Sequence, residues 1–265
     1  MKRLHRTVLQ SGNLAPSLPN MYPSLAARGI AVRRGEVTLV AGLPASGKST
    51  FAMALANRAK VPTLYVSADT HAHTQSLRMI AMLTGTDQNI IEPAMQDKEW
   101  ASEMLQQASH IRWDFNSAPS VQSVEQQLDA HVELFSRGPE MVVIDNLTDL
   151  VGGEGSEWEG MRGMLKDMKF LAREYDTAFL VLHHMSEGVQ VPHGQCPPRY
   201  ALMGKVAATP ALILSITQDD AGFLGVCPVK NRYGASNPSG TDVTWLRYDP
   251  AAMQISEVEK EFNVA

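Results

Sequence analysis

Residues 36–50, E-V-T-L-V-A-G-L-P-A-S-G-K-S-T, constrain this chain more than any other stretch. The apolar run 37–41 is of strand type, and residues 42–49 fit G-x-x-x-x-G-K-[ST]. A helical pattern follows, with Phe51 and Leu55 four apart and Ala52, Ala56 and Ala59 beside them. Strand, glycine loop and helix in that order make a phosphate cradle. Loop backbone N–H groups close around phosphate oxygens, and the helix N-terminus adds partial positive charge. Gly42, Leu43, Pro44, Ala45, Ser46, Gly47, Lys48, Ser49 and Thr50 are therefore the candidate nucleotide contacts. Lys48 is expected to reach the outer phosphates, and the Ser49 hydroxyl to hold Mg2+.

The motif in this context resembles the P-loop nucleotide-hydrolase superfamily. A chain of 265 residues with 44% apolar residues is long enough for one large α/β domain or two small ones. No apolar run spans a membrane, and the basic N-terminus lacks the apolar core of a signal peptide. The expected location is cytoplasmic. Two cysteines, Cys196 and Cys227, make neither a disulfide framework nor a metal cluster. A net charge of −5 excludes a polyanion-binding surface over the whole molecule, so any nucleic-acid contact needs a local basic loop or an assembled channel.

Beyond the loop, residues 62–67 read as a second buried strand and 74–84 as a helix. Residues 97–109 read as a polar helix with Trp100 and Leu105 inward, and 111–115 as a short strand. Residues 121–135 have helical spacing, with Val124, Leu128, Val132 and Phe135 on one stripe. Strands are expected at 141–145, 178–182, 211–217, 223–229 and 243–248, with a helix at 159–175. Strands alternating with helices, then a strand-rich end, predict a mostly parallel central sheet flanked by helices, with antiparallel strands at the C-terminal end. Pro16, Pro19 and Pro23 break any long helix before residue 35, and Arg28, Arg33 and Arg34 are read as solvated in preference to contacting a neighbour.

Asp145 ends a buried strand, which in this sheet type places its carboxylate beside the phosphate loop, opposite Ser49, as a Mg2+ ligand. Asp69 ends the strand after the loop helix. It can orient or deprotonate an attacking water, or it can cap the following helix. His184 ends the next strand and is placed to contact a γ-phosphate. Its neighbour His183 should face the other way. His71 and His73 lack a third ligand. Lys230 and Arg232, in K-N-R-Y-G, form a charged turn after a strand.

Taken in order, G-L-P-A-S-G-K-S-T, then S-A-D-T with Arg78 nine residues on, then V-V-I-D-N, then L-V-L-H-H and V-K-N-R-Y-G, resemble the ATPase domain of DnaB-type hexameric helicases. They are also similar to RepA-type plasmid helicases and small phage RecA-like ATPases. The resemblance covers residues 20–250 and implies a RecA-like P-loop core over 36–258, a lead-in arm over 1–35 and a tail over 259–265. It implies ATP and Mg2+ as cofactors, a hexameric ring of this chain, and single-stranded DNA as partner. Lys230 and Arg232 fall on the basic finger that touches the γ-phosphate of the adjacent subunit. Asp69 stands where that family has a catalytic glutamate, and is one methylene shorter. Arg78 is a further nucleotide contact, and Tyr248 either stacks on adenine or simply packs. Loops 151–159 and 186–204 match the channel-lining regions, so Arg199 and Lys205 are DNA-contact candidates. No counterpart is expected for the N-terminal domain with which DnaB helicases engage primase, so primase or other replication partners stay open. A replicative helicase is the first expectation. A filament-forming recombination or annealing ATPase and a regulatory ATPase acting on proteins remain alternatives.

Overall fold

Runs of Val, Ile and Leu that are buried on both faces form parallel strands, because each face must be covered by helices. The computed structural model describes residues 16–19, 21–153 and 155–258 and follows this rule. The parallel strands are β1 (Val37–Gly42), β2 (Thr63–Ser67), β3 (Ile111–Asp114), β4 (Met141–Asp145), β5 (Ala178–His184) and β6 (Leu212–Gln218). Three antiparallel strands extend the sheet: β7 (Phe223–Asn231), β8 (Thr244–Asp249) and β9 (Gln254–Glu257). The order is β3-β2-β4-β5-β1-β6-β7-β8-β9. The first 15 residues of the expected arm, Glu154 and the expected tail at 259–265 lie outside the described residues.

Before β1 lies the single turn α1 (Pro23–Ala26). One face of the sheet carries α2 (Lys48–Ala59), α3 (Ala72–Thr84), α4 (Gln88–Ala94) and α5 (Lys98–Gln106). The other carries α6 (Val121–Phe135) and α7 (Glu157–Glu174). Side-chain alternation along the strands divides the core accordingly. Val143, Leu180, Leu182 and Tyr65 face the α2 side, while Val142, Ile144, Phe179 and Val181 face the α7 side.

Several expectations are corrected. Lys230 is not in a turn but inside β7, which runs two residues further than the apolar pattern. In α6 the buried stripe is Val124, Leu128 and His131, whereas Val132 and Phe135 are 37% and 42% exposed. His131 stays inside because its Nδ1–H donates to the Arg137 carbonyl at 2.8 Å. Arg28 and Arg34 are not solvated. Arg28 binds Asp242 and the Thr244 hydroxyl, and Arg34 binds Asp176. Arg33 lies 5.2 Å over the Tyr233 ring. The structure adds α4 and β9, for which the sequence pattern gives no sign.

The described part of the lead-in is core. Leu18, Tyr22, Leu25, Ile30 and Val32 are buried, and Ser17 bridges to Arg33. Tyr22 stacks on Phe51 of α2, lies under Arg58, and donates its hydroxyl to the Ile255 carbonyl at 3.2 Å. It thus ties the lead-in, the loop helix and the last strand together. Tyr22→Ala should lower the unfolding free energy by about 3–5 kcal/mol, the range for emptying an aromatic core position, as read by urea titration.

Candidate nucleotide site

β1 ends at Gly42 and α2 begins at Lys48, so the whole phosphate loop is the connection between them. Gly47 is the residue before the helix, with φ +86°, and no side chain caps α2. The first-turn N–H groups of α2 therefore have no side-chain acceptor. Gly42 leaves room for the loop to fold back, since a Cβ there would lie 2.4 Å from Ser46 Oγ and 2.9 Å from the Ile216 carbonyl. The Gln218 amide donates to the Ala45 carbonyl at 2.7 Å and fastens the loop to β6. Ser46 Oγ is buried and has no hydrogen-bond partner among the described residues.

Lys48 is 8% exposed, and its Nζ donates to the carbonyls of Gly42 at 3.1 Å and Leu43 at 2.8 Å. Burial pulls its pKa down to about 8, while Asp145 works in the opposite direction. A buried ammonium held by neutral carbonyls is poorly compensated, and an anion improves its position. Free helix donors, a buried cation and a spare hydroxyl together fit a nucleotide phosphate tail.

Asp145 closes the other side. Ser49 Oγ donates to Oδ1 at 3.1 Å and the Tyr65 hydroxyl donates to Oδ2 at 2.9 Å. Burial pushes the Asp145 pKa up to about 6, opposed by those two hydrogen bonds. The group is therefore an anion at neutral pH. A hydroxyl and a carboxylate in contact are the hard oxygen donors that suit Mg2+, so these residues fit that ion.

Around this pair lies a cavity of about 410 Å³, lined by the phosphate loop, Asp69, Arg78, Asp145, Asn146, His184 and Tyr248. Asp69 does not cap α3. His71 takes that position, and Asp69 instead accepts from the Thr70 hydroxyl at 2.8 Å. Its turn is braced from below: the Gln75 amide donates to Ser67 Oγ at 2.9 Å, and Ala68 N–H donates to the Asp145 carbonyl at 3.2 Å. His184 faces the cavity, and burial, then Lys48, lowers its pKa. His183 points to the other face and binds the Met203 carbonyl at 3.0 Å. Tyr248 is 8% exposed, and its hydroxyl lies 3.4 Å from Thr50 Oγ1.

Lys230, Arg232, Arg199 and Lys205 are not brought into this cavity. Lys230 pairs with Ile213 across β6–β7, and Arg232 N–H bonds the Ala211 carbonyl, level with Val37. Gly42 stands five residues further along β1, roughly 17 Å at the usual strand rise. Lys230 Nζ donates to the carbonyls of Ala207 at 2.6 Å and Ala208 at 3.0 Å. Its pKa falls to about 8, through burial and then the Arg232 charge. Arg232, Arg199 and Lys205 are exposed.

A family model described as an AAA domain matches residues 29–189, more than half of the chain. The chain belongs to the AAA domain family. Gene 65 protein of Mycobacterium phage L5 is 31% identical over 258 residues, covering 93% of this chain and 95% of that protein. Replicative DNA helicase DnaB of Nostoc sp. is 23% identical over 195 residues, 70% of this chain and 22% of the helicase. Among solved structures, a DnaB-like replicative helicase superposes with a TM-score of 0.80 at 18% identity, covering 97% of this chain and 67% of that one. The fold is thus the RecA-like ATPase core found in DnaB-like helicases.

This AAA-family site also contains residues that motif reading passes over. Gln88, Pro250 and Met253 line the same cavity. The Gln88 amide donates to the carbonyls of Pro250 and Ala251, both at 3.2 Å. No short motif marks them, because α4 and the β8–β9 turn meet only in three dimensions. Asn146 is within reach of such reading, as the residue after the strand-end aspartate.

The shifts of Asp145 and Lys48 predict a pH profile for the free protein. Asp145 loses its proton, and so gains metal affinity, as pH rises through about 6. Lys48 loses its charge, and so its grip on phosphate, as pH rises through about 8. The kcat/KM for ATP should be bell-shaped between these limbs, measured as phosphate release against pH.

Proposed function

We propose that this chain is an ATP hydrolase driving movement on single-stranded DNA as a closed ring of copies, in the manner of a replicative helicase. The observation that best supports the reading is the separation of two basic residues from their own phosphate loop. Lys230 and Arg232 sit at the far end of the sheet, beyond an arginine side chain's reach. A role for them on a triphosphate therefore needs a second copy.

In this reading Lys48 and the first turn of α2 hold the β- and γ-phosphates. Bound Mg2+, held by Ser49 and Asp145, would neutralise charge on those phosphates. Asp69, at the cavity wall, orients the attacking water and takes its proton, and its short side chain sets that water closer to β2 than a glutamate would. His184 contacts the γ-phosphate, and Arg78 binds the nucleotide from α3. Tyr248 lines the cavity, with its hydroxyl beside Thr50, and is the candidate for stacking on adenine. Arg232 from the neighbouring copy meets the developing charge in the transition state, an effect worth on the order of 10³-fold or more in rate. Lys230 holds the 207–208 turn and so fixes the base of that finger.

The DNA contacts assigned are Arg199 and Lys205, on the segment between β5 and β6. That segment is coupled to the site. His183, next to His184, binds the Met203 carbonyl, and Arg162 of α7 binds the Gly204 carbonyl at 3.1 Å. Loss of the γ-phosphate at His184 can thus move the residues next to Lys205.

Arg232→Ala should leave ATP affinity within about twofold and reduce turnover by about 10³-fold. Lys48→Ala should abolish nucleotide binding. Rings built from both variants should regain activity at mixed interfaces, which a mixing titration of phosphate release would read. Normal turnover by Arg232→Ala removes the trans assignment. Particle images with ATP and single-stranded DNA decide between closed rings and open filaments, the latter favouring a recombinase. ATPase activity indifferent to DNA favours a regulatory ATPase.

A further inference from the structure

Asp145 has two oxygens, and the structure gives each its own donor. Ser49, which lines the cavity, donates to Oδ1, and Tyr65, which does not line it, donates to Oδ2. Tyr65 is fully buried in β2, two residues from Ser67, and its ring lies on the α2 side of the sheet. β2 and β4 pair in register, with Tyr65 opposite Val143 and Ser67 opposite Asp145. The phenol therefore runs diagonally along the sheet, one strand step, to meet the carboxylate from behind.

The ring is itself held. It stacks on Trp113 of β3 at 4.3 Å between centroids, and Trp113 stacks on Phe115 at 5.8 Å and 1°. This aromatic row starts at the sheet edge and ends in one hydroxyl on Oδ2. A phenylalanine at position 65 would fill the same core space and make the same stack, so packing leaves the hydroxyl unexplained.

We propose that Tyr65 is the positioning residue of the metal site: its hydroxyl occupies Asp145 Oδ2 and thereby leaves Oδ1, beside Ser49, as the oxygen presented to the divalent ion. Without that donor the carboxylate rotates about its Cβ–Cγ bond and shares both oxygens with Ser49 and the site. Outer hydrogen bonds of this kind typically govern metal affinity by about 10–100-fold when removed. The inference rests on the ATP hydrolase reading above, and concerns the metal rather than the DNA.

The test uses the whole chain with Mn2+ as probe, bound in the presence of a non-hydrolysable ATP analogue and followed by electron paramagnetic resonance. Tyr65→Phe should weaken Mn2+ binding about tenfold. Analogue binding in chelator, without metal, should stay within about twofold of wild type. A merely structural tyrosine would lower the melting temperature and reduce both affinities together, which would overturn the proposal. Unchanged Mn2+ affinity would overturn it too. Trp113→Leu, which keeps the hydroxyl but loosens the ring, should show a smaller loss of Mn2+ affinity than Tyr65→Phe. It serves as the deciding variant should Tyr65→Phe not fold, and wild-type Mn2+ affinity in it would then count against the idea. Wild-type protein that binds no analogue at all sinks the ATP reading itself, and is told apart from the other failures by that control.

Discussion

A lysine ammonium taken out of water, with two backbone carbonyls as its partners, sets the terms for everything around it. Lys48 sits at the start of α2, where its charge opposes the positive end of the helix. The two carbonyls hold the ammonium, and the nearby Asp145 charge favours it. That arrangement fixes the curl of the loop, which in turn needs Gly42 to pass against Ser46 and the Ile216 carbonyl. It also fixes the sheet, because β4 must lie within two strands of β1 for its terminal carboxylate to arrive. The order β4-β5-β1 meets that condition, with β5 bringing His184 level with Gly42.

Much of this is legible in the chain because it is local. The loop, the strand that precedes it and the helix that follows are recognised from one continuous stretch, 36–50. The alternation rule separates His183 from His184 correctly, and 37–41, 141–145 and 178–182 announce themselves as strands by apolar content alone. What escapes such reading is decided by contacts that periodicity does not report. His131 looks polar in sequence yet is buried, donating a hydrogen bond to the Arg137 carbonyl six residues on. Arg28 and Arg34 look solvated and are held by Asp242 and Asp176, which are far away in sequence. Tyr65 reads as an ordinary β-former, and nothing in T-L-Y-V-S says that its hydroxyl meets Asp145. Gln88 and Pro250 meet at the cavity through the packing of α4 against the β8–β9 turn, which no periodicity reports.

The lead-in follows the same logic. Read as an arm because prolines break it, it proves to be a structural edge piece over its described residues. Tyr22 links it to α2 and β9, so the outer antiparallel strands and the phosphate-loop helix share one cluster. A strand at a sheet edge needs cover for its open hydrogen-bonding side. Here Ser24 N–H meets the Glu257 carboxylate at 3.0 Å, beside the Tyr22 bond to Ile255. The cover of β9 and the support of the nucleotide helix are thus one packing arrangement.

The two ends of the sheet then divide the work. At the C-terminal ends of the parallel strands, carboxylates, histidines and the glycine loop converge, as strand ends do in open α/β sheets. At the other end, the β6–β7 hairpin delivers Lys230 into a carbonyl pocket made by Ala207 and Ala208, and leaves Arg232 in solvent. A cation buried among carbonyls and placed beside a second, exposed cation is unfavourable for the isolated domain, since burial and Arg232 both oppose the charge on Lys230. A negative charge brought against this end relieves that opposition. The Lys48 cradle and the Lys230–Arg232 pair thus stand at opposite ends of the sheet, too far apart to share one anion.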